Sequence, residues 1–358
     1  RDLLERQGEE TPIEWRHRDD RFAEKLATPD TSIADLIGEV DPIKVAHGRT
    51  LADPETIHIG LVPRTNRGIV AINELPDLAE RIQVGLLNVL EERDVQVRGY
   101  KVRLPLDLLL VASANPEDYT NRGRIITPLK DRFGAQIRTH YPMDLETELD
   151  VVDQESSTPA VLGVHVHVPE FMRDVVATLT HLARSSPHVN QRSGVSVRLS
   201  IANYETLVAS ATRRALRLAE KEAVPRISDM EALVSSTAGK VEVETLEDGG
   251  DQAVVDQLIQ SAVLTVFKRR CPISRLADVV MAFNEGTTVV ETGDDMASAA
   301  YAGALAAVPA LRGPVMELSA AESPAAVASA TEFILEGLHL SRRLNKDRVS
   351  GRSAYRGR

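Results

Sequence analysis

The sequence predicts an α/β protein with a parallel sheet, followed by a mostly helical region. Two short apolar runs, residues 68–75 and 106–113, have the length and composition of buried parallel strands. Each run ends in polar side chains, and the carboxyl edge of such a sheet is where α/β proteins bind ligands. From residue 146 onward, apolar residues recur at helical spacing instead.

The first run is opened by Gly68 and closed by Pro76, and its last residues include Asn73 and Glu74. A carboxylate at the tip of a strand can polarise a water molecule or help to hold a metal ion. These two residues are therefore the first candidates for a functional site.

The parts that follow come in a regular order. Apolar residues at helical spacing predict a helix over residues 78–92, and alternation over residues 95–104 predicts a β-hairpin. The second strand then leads into Asn115, so a polar side chain again stands at a strand tip. Residues 135–139 are a third strand candidate, and Arg132 lies just before them.

This order resembles the second half of a AAA+ ATPase core, in the branch of the magnesium-chelatase I subunit and MoxR-type proteins. The resemblance extends well over residues 30–145 and fades after about residue 240. The segments that carry it are Gly38-Glu39-Val40-Asp41, residues 60–69, the strand ending at Glu74, residues 86–91, the hairpin around Arg98-Gly99, residues 113–117 and residues 129–134.

The resemblance implies a role for each candidate residue. Glu74 corresponds to the Walker B glutamate that activates the attacking water. Asn115 corresponds to the sensor-1 residue, which hydrogen-bonds that water or the γ-phosphate. Arg132 corresponds to the arginine finger that reaches the nucleotide of a neighbouring subunit, and Arg198 is the candidate sensor-2 arginine of a helical lid. Phosphoryl transfer requires groups of these types, because it depends on positioning and on positive charge near the γ-phosphate.

The implied cofactors are ATP and Mg²⁺. The resemblance assigns nucleotide contacts to four residues, namely Asn73, Glu74, Asn115 and Arg198. Of these, Asn73 and Glu74 would contact Mg²⁺ through the nucleotide. Two assignments have competitors nearby in the sequence. Arg122 and Arg124 could share the role of Arg132, and the competitors of Arg198 are Arg192, Arg213 and Arg214.

Two departures from the family pattern stand out. The Walker B pattern usually ends in Asp-Glu, whereas this chain has Asn73 before Glu74, and an amide oxygen is a weaker partner for Mg²⁺ than a carboxylate. No stretch of the chain reads G-x-x-x-x-G-K-[ST], the phosphate loop that precedes Walker B in the family. We therefore expect a chain that lacks its N-terminal part, folds poorly alone and does not hydrolyse ATP alone.

The expected organisation is a partial nucleotide-binding core over residues 1–145, a helical lid over residues 146–240 and a C-terminal helical region over residues 241–345. Residues 1–30 are highly charged and predict a loop or a disordered insertion. Residues 346–358 are basic and predict a disordered tail, although such a tail with an aromatic residue could also contact a phosphate-rich partner.

Composition restricts the class of protein. The formal net charge of −11 argues against general nucleic-acid binding. The single cysteine, Cys271, cannot form a disulfide within the chain, which suits a reducing, cytoplasmic compartment. No apolar run approaches the roughly 18 residues of a membrane span. His165 and His167 alternate with valines, which indicates a strand face rather than a metal site.

The resemblance therefore implies a AAA+ ATPase that works in a ring, because its arginine finger acts in trans, and six subunits are expected. The ring would be homo-oligomeric or mixed, and its expected partner is a protein with a von Willebrand factor A domain. Remodelling of that partner is favoured over metal insertion into a porphyrin. One alternative is a non-hydrolysing scaffold that donates Arg132 to an active neighbour. Another is a nucleic-acid-linked ATPase that uses the hairpin and the basic tail.

Overall fold

The structure is a computed structural model. It describes residues 2–40, 42–47, 56–96, 103–115, 123–158, 160–161, 163–190, 193–243, 250–286, 288–319, 322–349 and 352–358. The chain forms two compact units, Arg1–Arg138 and Thr139–Arg358. The predicted hairpin tip around Arg98 and the competitor Arg122 lie outside the described residues.

The first unit is an α/β structure. Its strands are β1 Phe22–Leu26, β2 Gly38–Val40, β3 Ile57–Ile59, β4 Ile69–Asn73, β5 Asp94–Gln96, β6 Arg103–Pro105 and β7 Leu109–Ala112. Its helices are α1 Asp2–Gln7, α2 Ile33–Leu36, α3 Pro42–Ala46, α4 Leu61–Arg64, α5 Glu80–Glu91 and α6 Thr127–Lys130. The predicted helix over residues 78–92 is confirmed as α5, and both predicted strands are confirmed as β4 and β7.

The main sheet has the order β1-β4-β7, and both pairings are parallel. One face of this sheet is covered. Val70 and Ile72 of β4 are fully buried, and they share an apolar core with Ile82 and Leu86 of α5. The predicted parallel sheet flanked by helices is therefore confirmed, and its strands carry the polar tips to one edge.

The opposite face of the main sheet is open. We call it the open face and define it by Phe22, Leu26, Ile69, Leu109 and Val111. These side chains are 41–57% exposed and alternate with the buried residues along their strands. In the register of the sheet, Phe22 pairs with Ile69 and Ile69 pairs with Leu109, so the exposed apolar residues form a continuous row.

Two expectations about the first unit are wrong. Residues 1–30 are not all loop, because Phe22–Leu26 forms β1 of the main sheet. Residues 135–139 do not form a strand. Ile137 in this segment is 88% exposed, and among the described residues no strand pairs with the free side of β7. A strand without a neighbour leaves its backbone groups to water, so the apolar alternation is not sufficient to form one.

The second unit is mostly helical. Its helices are α7 Leu145–Glu155, α8 Glu170–Ser185, α9 Arg198–Arg217, α10 Leu233–Ala238, α11 Gly250–Arg270, α12 Ala277–Glu285, α13 Tyr301–Ala307, α14 Arg312–Ser319 and α15 Pro324–Leu340. Its strands are β8 His165–Val166, β9 Glu222–Ala223, β10 Val289–Thr292, β11 Asn345–Val349 and β12 Arg352–Arg356. One apolar core contains residues of both the predicted lid and the predicted C-terminal region, among them Val175, Phe267 and Phe333.

The second unit also buries charges. Arg214 and Asp229 are 3% and 2% exposed, and Arg214 Nη2 donates to Asp229 Oδ2 at 2.9 Å. Glu332 accepts a hydrogen bond from the backbone N–H of Ser228 at 2.8 Å and another from the Tyr301 hydroxyl. Burial raises the pKa of the Glu332 carboxyl, although these partners and Arg226 oppose the shift.

The prediction of a disordered tail is wrong. Residues 345–349 and 352–356 form β11 and β12, which pair with each other, and β12 also pairs with β10. Tyr355 is 1% exposed and its hydroxyl donates to Glu336. Basic side chains of this segment form ion pairs with acidic ones, because Arg352 pairs with Asp295 and Arg356 pairs with Asp347. The charges that suggested disorder are therefore neutralised within the folded unit.

His165 lies on β8, which pairs with β9 in parallel, so the expected strand is confirmed for His165 and Val166, whereas His167 lies just beyond its end. No helix in the described part of the chain is both long enough and apolar enough to cross a membrane.

Candidate functional site

The polar tips of β4 and β7 lie at the same edge of the main sheet. Asn73 ends β4, and Ser113 directly follows β7. The pairing continues through these tips, because the Ser113 N–H donates to the Ile72 carbonyl at 3.0 Å and the Leu75 N–H donates to the Ser113 carbonyl at 3.0 Å. The backbone therefore holds residues 73–75 and 113 in a fixed register.

A chain of side-chain hydrogen bonds ties the three strands together at this edge. The Asn73 amide donates to the Glu24 carboxylate of β1 and accepts from the Ser113 hydroxyl, with an O–O distance of 3.3 Å. The Ser113 oxygen in turn accepts from the backbone N–H of Glu74 at 3.2 Å. Asn73 is therefore oriented on both sides of its amide.

Glu74 has a left-handed backbone, with φ 55° and ψ 48°. Residues other than glycine seldom adopt this conformation, and it often marks a functional position. The turn Leu75–Asp77 follows directly, and the Asp77 N–H donates to the Glu74 carbonyl at 2.9 Å. Within the described residues, the Glu74 carboxylate makes no hydrogen bond or ion pair. It is partly exposed and available to water or a ligand.

Asn115 lies two residues beyond Ser113 on the segment that leaves β7, and it is exposed. It therefore belongs to the same edge of the sheet as Asn73 and Glu74. Arg132 follows α6 and is 31% exposed, and it lies against Glu91 at the end of α5. Its Nε donates to Glu91 Oε2 at 2.7 Å, and its Nη1 donates to the Pro128 carbonyl at 2.8 Å.

Arg198 belongs to the second unit, where it is the first residue of α9. Its side chain is exposed, and its backbone N–H donates to the Ser196 hydroxyl at 3.2 Å. Of its competitors, Arg214 is buried in the pair with Asp229 and could not reach a ligand without breaking that pair. Arg213 is exposed on the same helix, and Arg192 lies outside the described residues.

The donor set at the edge fits a hard divalent cation. The ligand atoms available here are the Asn73 amide oxygen and the Glu74 carboxylate oxygens, and Mg²⁺ is usually held by one or two such groups together with water and phosphate oxygens. The Glu24 carboxylate, beside the Asn73 amide, supplies negative charge that the amide itself lacks. Among the described residues, no group of three or more His, Cys, Asp or Glu side chains could hold a metal ion, so a cation here would depend on water and phosphate oxygens for its other ligands.

Two residues of this network are missed by sequence reasoning. Glu24 lies in a segment that the sequence predicts as loop, and its contact with Asn73 spans 49 positions. Ser113 is recognisable only as the end of a predicted strand. Its place next to the polar tip of β4 is the signal that could have identified it.

Comparisons with known proteins match the first unit. The sigma-54 interaction domain family matches residues 50–132. The magnesium-chelatase 38 kDa subunit of Cereibacter sphaeroides is 35% identical over 103 residues, which are 28% of this chain and 30% of that protein. The corresponding subunit of Acidiphilium rubrum is 34% identical over 107 residues, which are 29% of this chain and 30% of that protein. The matched part of the chain thus spans less than a third of each relative.

A solved structure of the complex between subunits BchI and BchD of magnesium chelatase is also similar. It shows 20% identity and a TM-score of 0.30, and the match covers 67% of this chain and 73% of that chain. A TM-score of this size carries no structural conclusion. The residues Asn73, Glu74, Asn115 and Arg132 all fall inside the matched range 50–132, and Arg198 falls outside it.

Proposed function

We propose that this chain, whose first unit carries a magnesium-chelatase-like AAA+ segment, binds ATP with Mg²⁺ and takes part in its hydrolysis. The observation that carries the proposal is Glu74. Its carboxylate stands at the carboxyl edge of a parallel sheet without a protein partner among the described residues, on a backbone conformation that is costly for glutamate. A group held in this way suits a water-orienting role.

Each residue has one task in this mechanism. Glu74 accepts a proton from the attacking water or orients it, and Asn115 hydrogen-bonds the same water or the γ-phosphate. Asn73, fixed by Glu24 and Ser113, would contact the water shell of the cation. The cation, when bound, neutralises charge on the phosphates. Arg132 supplies positive charge to the nucleotide of the adjoining subunit, and Arg198 is the proposed sensor-2 contact.

We also propose that the chain works in a cytoplasmic ring of the magnesium-chelatase or MoxR type. The ring would be homo-oligomeric or mixed, with six subunits. ATP hydrolysis in the ring would drive remodelling or metal-insertion activation of a partner with a von Willebrand factor A domain. The proposed role of Arg132 requires a second subunit, and this requirement is the reason for proposing a ring.

A second candidate function is a non-hydrolysing scaffold that donates Arg132 to an active neighbour. One observation favours it, namely Asn73 in place of the usual aspartate. No observation favours the nucleic-acid-linked alternative, because the basic tail is folded and its arginines pair with acids.

ATP hydrolysis by the protein expressed from its own gene tests the proposal. We expect Glu74→Gln to lower turnover by about 10²-fold or more and to leave ATP binding in place, because removing a general base typically costs that much. Glu80→Gln, an exposed change at the start of α5, is the matched control. Turnover by Glu74→Gln at the rate of Glu80→Gln would show that the proposal is wrong.

The in-frame coding sequence upstream of the Arg1 codon separates the two candidates. A strand followed by G-x-x-x-x-G-K-[ST] would favour the hydrolysing enzyme. A stop codon or unrelated sequence would favour the scaffold, and Arg132 would then be expected to raise ATP turnover only in a mixed assembly.

A further inference from the structure

Helix α5 contacts both ends of the segment that carries Arg132. At the first end is Gln83, whose side chain is fully buried. Its Oε1 accepts from the Ile126 N–H at 2.9 Å, and its Nε2 donates to the Arg124 carbonyl at 3.0 Å. The same nitrogen also donates to the Leu78 carbonyl at 2.9 Å, so this buried amide fixes the entry to α6 from one position on α5.

At the other end is Glu91, the last residue of α5. Its carboxylate receives the Arg132 Nε hydrogen bond at 2.7 Å and a second contact from Nη2. Between the two attachments, Leu129 of α6 is fully buried in the core of the unit. The segment is thus held at both ends and in the middle.

The contacts leave part of the guanidinium of Arg132 available. Glu91 and the Pro128 carbonyl use three donor contacts, and a guanidinium has further N–H groups beyond these. The side chain is 31% exposed. An arginine side chain that is free to rotate would lose conformational freedom on meeting a phosphate, whereas one already fixed by a carboxylate loses less.

The helix also begins close to the other candidate residue. Glu80 opens α5 shortly after Glu74 and the turn Leu75–Asp77. Helix α5 therefore begins shortly after Glu74 in the chain and ends at Glu91, whose carboxylate holds Arg132.

We propose that Glu91 is a positioning residue for Arg132, and that it fixes the guanidinium through α5 so that its free N–H groups meet phosphate oxygens of the nucleotide in the adjoining subunit. This inference rests on the proposed function, in which Arg132 acts in trans. Glu91 itself does not touch the nucleotide. It acts by holding Arg132 and by keeping that arginine at a fixed place relative to Glu74.

Steady-state ATP hydrolysis by the protein expressed from its own gene provides the first test. Arg132→Ala is expected to lower kcat by about 10³-fold, the low end for an arginine finger. Glu91→Ala is expected to lower kcat about 10-fold with KM unchanged within twofold, because positioning acts on the transition state. Glu91→Gln is expected to recover most of the rate, since its amide oxygen still accepts from Nε.

The matched control is Glu92→Ala. Glu92 is the next residue, is exposed and makes no side-chain contact with Arg132 among the described residues. The double variant Glu91→Ala/Arg132→Ala is expected to be no slower than Arg132→Ala alone, because Glu91 acts only through that arginine. A kcat for Glu91→Ala within twofold of Glu92→Ala overturns the proposal.

The second test does not depend on turnover. Phenylglyoxal modifies accessible arginine side chains, and the rate at Arg132 is read by mass spectrometry of its peptide. We expect Glu91→Ala to raise that rate at least 5-fold over the wild type and over Glu92→Ala. Equal rates in all three proteins overturn the proposal, because the ion pair would not hold Arg132 in solution.

The two failures are distinguishable. If Arg132→Ala lowers kcat and Glu91→Ala does not, the inference is wrong and the proposed function stands. If Arg132→Ala leaves kcat unchanged, the arginine-finger function fails and the positioning role fails with it. If the wild type shows no turnover, the hydrolysing function fails, and the phenylglyoxal rates alone decide whether Glu91 holds Arg132.

Discussion

The two units bury their polar groups in different ways. In the second unit, acidic side chains are buried and paired with arginines: Asp229 pairs with the buried Arg214, and the fully buried Glu148 pairs with Arg184, which is 12% exposed. Among the described residues of the first unit, no ionised side chain is buried in this way. The first unit instead exposes apolar side chains on the open face of its main sheet. The second unit thus covers its core with its own helices, whereas the main sheet of the first is covered on one face only.

This difference leads to different expectations for the stability of the two units. Buried ion pairs are costly to break, because removing one partner leaves a charge without compensation in a medium of low polarity. A parallel sheet is normally covered on both faces. Among the described residues, the second unit therefore holds ion pairs in its core, whereas the first unit exposes one face of its main sheet and carries the Glu74 carboxylate, without a protein partner, at the edge of that sheet.

The largest expected effect comes from breaking the buried pair in the second unit. Asp229→Ala leaves the Arg214 guanidinium buried without its carboxylate, and we expect the free energy of unfolding to fall by about 3–5 kcal/mol. Urea unfolding followed by far-ultraviolet circular dichroism measures it. The matched control is Glu231→Ala, whose pair with Arg348 is about 72% exposed on both sides. It is expected to change stability by less than about 0.5 kcal/mol. Equal effects would show that the Arg214–Asp229 pair is not buried in the second unit in solution.

The next prediction compares the two faces of β7. Leu110 is 9% exposed and Leu109 is 57% exposed. Leu110→Ala is expected to cost about 2–5 kcal/mol, as for a core leucine, and Leu109→Ala about 0.5 kcal/mol, as for a surface change. Hydrogen exchange of the β4 amides would assign the loss to the first unit. A cost for Leu109→Ala as large as that for Leu110→Ala would mean that the open face is covered in solution.

The third prediction uses the single thiol as a reporter of the second unit. Burial raises the pKa of Cys271 from 9.0 to about 11. The thiolate is the reactive form, so at pH 8 its population falls by about 100-fold. Labelling with a thiol reagent should be slower in the native protein than in denaturant by at least that factor. Fast native labelling would show that the region around Cys271 opens readily.

The smallest expected effect compares two helix caps of the same type. Ser323 begins the long helix α15 and Ser32 begins the short helix α2, and each hydroxyl accepts from a backbone N–H in the first turn. Either serine changed to alanine should cost about 1 kcal/mol. The two losses should appear in different units, which hydrogen exchange can resolve. Losses in the same set of amides would mean that the units unfold together.

Some of the fold could be predicted because its signal is local. β4 and α5 each have a clear period and length, and both were predicted close to their observed bounds. β1 could not be predicted, because its large apolar residues Phe22 and Leu26 point to the open face and only Ala23 and Lys25 point inward. The strand expected at residues 135–139 has the right alternation but no neighbour among the described strands.

In the candidate site, too, local features could be predicted and long-range contacts could not. Asn73 and Glu74 are adjacent at the end of a recognisable strand, so their place at the sheet edge could be predicted. The contacts that orient them could not, because the hydrogen bonds to Glu24 and Ser113 join positions 49 and 40 residues apart. The prediction of a disordered tail was wrong for the same reason, because a distant contact decides the structure: Asp295, the acidic partner of Arg352, lies 57 positions away in the sequence.

The left-handed backbone at Glu74 has one more consequence. A residue with a side chain of this size costs roughly 1–2 kcal/mol in that conformation, and glycine or asparagine would cost less. A population of sequences selected only for folding would therefore drift away from glutamate at this position. A redesign that placed glycine at position 74 for stability alone would therefore remove the carboxylate to which we assign the water-orienting role.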